Sequence, residues 1–105
     1  MEQKEIEKEE MVLARLRKLT DQALTHLLVL KTEPNDRIAL LGLLHAMQGV
    51  KVGADMLSIK GVFDYAGEAE RLLSILVEGK ITITEEIVSC VYDSVETLSK
   101  MISNW

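Results

Sequence analysis

The sequence predicts an all-α fold, an antiparallel up-down-up-down four-helix bundle, and three observations lead there. The helix formers Leu, Ala, Glu, Lys and Met are abundant, while one proline and six glycines leave few places for strand turns. Apolar residues recur at intervals of three and four through most of the chain. Finally, 105 residues of which 48% are apolar suffice for one core, and therefore for one domain.

Residues 1–10, MEQKEIEKEE, hold seven charges and one internal apolar residue, Ile6, so they read as a charged helical extension or a frayed end. The bundle is expected over residues 11–105. From Met11 onward, Leu13, Leu16, Leu19 or Thr20, Ala23, Leu27 and Leu30 make one amphipathic helix to about Lys31. Thr32-Glu33-Pro34-Asn35-Asp36 stops it, because proline restricts the residue before it, and Asn35 or Asp36 caps the next helix. That helix, Arg37 to about Val52, is apolar on most of its circumference through Ile38, Leu40, Leu41, Leu43, Leu44, Met47 and Val50, so it should be the most buried. Gly53-Ala54-Asp55 marks its expected end.

A third helix is expected from about Ser58 to Glu78, on Val62, Phe63, Ala66, Ala69, Leu73, Leu76 and Val77, with Gly79 as its stop. Residues 81–84, ITIT, alternate like a strand but have no second strand to pair with. Thr84 caps the fourth helix, whose stripe is Ile87, Val91, Val95 or Ser94, Leu98 and Met101 or Ile102. Glu85 and Glu86 stand at the positive end of its dipole.

Composition excludes several functions. A formal charge of -5 is wrong for phosphate backbones, so no nucleic-acid partner is expected. No apolar run is long enough to cross a membrane, and the charged N-terminus is unlike a signal peptide. A lone cysteine, Cys90, makes no internal disulfide, so the expected setting is the reducing cytoplasm, with Cys90 an inert core thiol. No cofactor is expected and no metal site, since His26 and His45 lie on different helices without convergent acids. The five methionines are dispersed and suit gap filling. Gly61 and Gly67, each costing a helix about 1 kcal/mol relative to alanine, are expected where another backbone comes close.

One order of residues is specific. HLLVL at 26–30, Pro34-Asn35-Asp36, the apolar helix LLGLLHAMQGVK at 40–51, MLSIKG at 56–61, AGEAERLL at 66–73 and EGKITITEEI at 78–87 follow one another at fixed spacing. In that order and register the chain resembles a histidine-containing phosphotransfer domain, most closely the N-terminal domain of CheA-type chemotaxis kinases. The resemblance covers about two thirds of the chain, from Pro34 to Ile102, and extends loosely to Met11.

Members of that family carry a phosphoacceptor histidine in a His-x-x-Lys-Gly pattern on the second helix. The ungapped register places that histidine on Gln48, the lysine on Lys51 and the glycine on Val52. A supporting histidine and a glutamate on the third helix fall on Gly67 and Glu70. Both histidines are thus replaced, while the lysine and glutamate are kept, and Lys51 is expected to face Glu70. A glutamine amide nitrogen has its lone pair delocalised and is no nucleophile, so Gln48 cannot carry phosphate. The resemblance therefore implies a non-catalytic, pseudo-phosphotransfer signalling domain that binds a response-regulator receiver domain or a CheA-type kinase domain.

Leu41, His45, Gln48 and Val52, at intervals of four, three and four, line one face of the second helix together with Lys51, and this is the expected partner-binding face. Exposed, it is a docking surface; covered, it is core. A second register, His45-Ala46-Met47-Gln48-Gly49, makes His45 the acceptor of an active domain, at the cost of three extra residues before Met56. A scaffolding or dimerisation bundle, forming a homodimer, is the reading from a different class.

Overall fold

The computed structural model describes the backbone of residues 2–105 and the side chains of residues 5–105. It holds four helices, α1 (Glu2–Thr32), α2 (Arg37–Met56), α3 (Lys60–Val77) and α4 (Glu85–Ser103), and no strand among the described residues. α1 packs on α2 and α4, and α3 packs on α2 and, more thinly, on α4. The helices therefore form a ring in chain order, the four-helix bundle the periodicity predicts.

Each buried stripe alternates steps of three and four, the spacing that keeps one face of a helix turned inward. α1 buries Leu16, Thr20, Ala23, Leu27 and Leu30; α3 buries Val62, Ala66, Ala69, Leu73 and Leu76; α4 buries Val88, Val91, Val95, Leu98 and Ile102. Thr20, rather than Leu19, holds the fully inward position, and its hydroxyl donates to the Arg17 carbonyl at 2.9 Å, so no polar group is left unpaired there. α2 buries nine residues, more than any other helix, and is the central element. Its circumference is less apolar than the sequence suggests, because Ile38 is 83% exposed on the side of α2 that faces away from the buried Leu40, Leu43 and Met47.

The predicted caps are in place. The Ala39 N–H donates to Asp36 Oδ1 at 3.0 Å, and the Ile87 N–H donates to Thr84 Oγ1 at 3.2 Å. Asp36, not Asn35, is thus the cap of α2. Residues 81–84 form no strand and lead into α4, with Ile83 packed against the core.

Three expectations need correction. α2 does not stop at Gly53-Ala54-Asp55 but continues to Met56, because Gly53 serves packing and not termination. The helix ends instead at Leu57, where the Ser58 N–H donates to the Asp55 carbonyl and the Ile59 N–H to the Ala54 carbonyl, a Schellman arrangement that puts Ser58 at φ 56°. The close-approach glycines are not those of α3. A Cβ on Gly67 would meet nothing within 4 Å, and one on Gly61 only the Met101 methyl at 3.2 Å. On α2, by contrast, a Cβ on Gly42, Gly49 or Gly53 would lie 2.6, 2.8 or 2.5 Å from His26, Leu19 or Leu16 of α1. Third, Cys90 is exposed, since the inward stripe of α4 runs through Val88 and Val91 and leaves position 90 outside.

Candidate functional site

The register of α2 decides what its outer face shows. With Leu40, Leu43, Leu44, Met47, Val50 and Ala54 turned inward, Leu41, His45, Gln48 and Val52 all fall on the exposed side. Leu41 is at the margin, 37% exposed, and Val52 is 62% exposed. The stripe is therefore a surface and not core.

Lys51 sits at the edge of that stripe, between α2 and α3, and its Nζ lies 3.4 Å from Glu70 Oε2. Both partners are partly exposed, so the pair contributes about 0–1 kcal/mol and positions the two side chains more than it stabilises the fold. The same ammonium lies 5.4 Å from the centre of the Phe63 ring, which draws the lysine over α3. Gln48 precedes Lys51 by three residues and Gly67 precedes Glu70 by three, so each pair shares a helix face. Gly67 is half-buried, with open space where a side chain would begin. These two helix segments thus carry a lysine–glutamate bridge, an exposed amide on α2 and an unfilled position on α3.

Gln48 and Val52 also form one wall of an open groove of about 410 Å³ between α1 and the last turns of α2. Met11, Val12 and Arg15 form the opposite wall, and Leu16, Gly49 and Gly53 lie deeper. Sequence reasoning did not find this second wall. Met11 and Arg15 lie off the core stripe of α1, and only the close approach at Gly49 and Gly53 brings them to α2.

The chemistry within reach follows from these groups. The Gln48 amide donates and accepts hydrogen bonds but offers no nucleophilic lone pair. His45, one turn away on the same face, is exposed and carries an imidazole. His26 stands elsewhere, with its ring over Gly42, and it serves helix packing. Cys90 lies on the outer face of α4, beside Glu86, Ser89, Asp93 and Tyr65 of α3, and takes no part in the α2 surface.

Comparison of the chain with protein-family models, with curated proteins and with solved structures found no match.

Proposed function

We propose that this chain is a pseudo-phosphotransfer signalling module, a non-catalytic bundle that docks on a receiver domain or a CheA-type kinase domain without carrying phosphate. The observation that supports it most is the Lys51–Glu70 bridge at 3.4 Å, the two charged residues of the resembled site kept in contact while Gln48 and Gly67 stand where imidazoles are expected. Attack on a phosphoryl group needs an available lone pair, and an amide nitrogen has none. The exposed stripe Leu41, His45, Gln48 and Val52 supports docking, because apolar groups left in water beside a few hydrogen-bonding ones favour association. Bound to a receiver or a kinase domain, such a module competes with an active phosphotransfer domain for the same face.

Incubation with a CheA-type kinase and radiolabelled ATP tests this reading. It expects binding to a receiver or kinase domain and no acid-labile phosphate on the chain. A second reading is favoured by the exposure of His45 on the same stripe, namely an active domain phosphorylated there. Label that vanishes in His45→Ala and persists in Gln48→Ala would establish it and overturn the first.

A further inference from the structure

The groove between α1 and α2 has a charge opposite to that of the chain as a whole. Lys8, Met11, Arg15, Lys18 and Gln22, at steps of three, four, three and four, form one exposed stripe on the α2 side of α1, and Met11 and Arg15 of that stripe line the groove. Across it, α2 presents Gln48, Val52 and Met56. Stripe and groove together hold three cations and no acid, in a chain of formal charge -5. Glu7 and Asp21 border the stripe on its solvent side, and neither lines the groove. α1 outruns α2 at this end, where Met56, the last residue of α2, meets it at the level of Met11 and Val12, and Lys8 follows beyond. Met11, Val52 and Met56 leave 73, 62 and 55% of their surface in water, above a floor of Val12, Leu16, Gly49 and Gly53. Three large exposed apolar side chains on the rim of a cationic groove mark an association surface.

We propose that its occupant is an acidic amphipathic helix of a partner protein. The apolar side chains of that helix enter between Met11 and Val52, and its flanking carboxylates meet Arg15 and Lys18. The α2 wall from Gln48 to Met56 is about 12 Å long, which matches the spacing of about 10 Å between positions i and i+7 of a helix. Methionines at the rim, Met11 and Met56, adapt their shape to the side chains that enter. Two other occupants fit less well. A second copy offering the same face sets cation against cation, and its acidic side, around Glu85, Glu86 and Asp93, is itself a depression and cannot fill another. An anionic bilayer rests on the two helix ridges and leaves the apolar floor between them wet. This inference stands on the α1–α2 groove and does not depend on the pseudo-phosphotransfer reading.

Selection of a displayed peptide library on the immobilised full chain tests it, with peptides of about 14 residues, four helical turns, randomised in both apolar and charged positions. Enrichment of sequences with apolar residues at i, i+3 or i+4, and i+7 and glutamate or aspartate beside them is expected. Fluorescence anisotropy of a labelled winner should show affinity falling about tenfold or more as salt rises from about 0.05 to about 0.5 M, because the charge pairs are screened at the surface. R15E/K18E should weaken that peptide about tenfold or more and should bind its Glu-to-Lys counterpart instead, while Val52→Glu should weaken both. All three positions are exposed, and helical circular dichroism verifies that the variants fold. Enrichment of basic peptides or of none, affinity that R15E/K18E leaves unchanged, or binding to phosphatidylglycerol vesicles in place of peptides would overturn the proposal.

Discussion

α2 and α3 use glycine in opposite ways. In α2 the interior glycines Gly42, Gly49 and Gly53 are pressed against α1 side chains, and the left-handed position that ends the helix is filled by Ser58 at φ 56°. In α3 the interior glycines stand in open or nearly open space, and the left-handed position belongs to Gly79 at φ 75°. Absence of a Cβ thus does two separate jobs. On α2 it provides space, allowing the α1 and α2 backbones to approach; at the end of α3 it provides conformational freedom. At Gly67 it provides neither, which leaves the helix-propensity cost of about 1 kcal/mol unexplained by packing.

The contrast is broken most sharply at Gly53. A Cβ there would sit 2.5 Å from Leu16 Cδ2, so the fully buried Leu16 side chain must leave its packed position. Gly53→Ala should therefore destabilise the bundle by about 1–3 kcal/mol in urea titration, even though alanine is the better helix former. Gly67→Ala should have the reverse sign, a gain of about 1 kcal/mol, because the new methyl meets nothing. An alanine at 67 that destabilised the fold would show that the space beside it is not free. The smallest effect belongs to the helix end. Ser58→Gly relieves a left-handed serine at some cost in unfolded-state entropy, so a net gain of about 0.5 kcal/mol is expected as a slightly higher melting temperature.

Much of the fold was legible because inward stripes and caps are local signals. Steps of three and four marked the helices, and Asn35-Asp36 and Thr84 announced two helix starts by side-chain chemistry, with the choice of Asp36 over Asn35 left to the structure. What escaped depends on partners. Gly53 looks like a stop signal in one dimension and is a contact in three, and the steps of seven and four from Gly42 to Gly49 to Gly53 acquire meaning only against α1. Cys90 lies next to the stripe in sequence yet outside it in rotation, since each residue turns the helix by about 100°.

The candidate site divides along the same line. The family resemblance singled out Gln48, Lys51, Gly67 and Glu70 and implied that Lys51 faces Glu70, a contact that stands at 3.4 Å. Whether Leu41, His45, Gln48 and Val52 faced water depended on which side of α2 its neighbours occupy, and the wall made by Met11, Val12 and Arg15 depended on how closely α1 approaches.

The overhang of α1 also has a hydrodynamic consequence. The molecule measures 50 × 21 × 20 Å with a radius of gyration of 14.2 Å, against about 13 Å for a compact chain of this length. A rod more than twice as long as it is wide tumbles anisotropically and meets more friction than a sphere of equal mass. In gel filtration the single chain should elute ahead of globular standards of 11.8 kDa. Early elution is therefore no sign of a pair, and only a method that weighs particles rather than sizing them can count the copies.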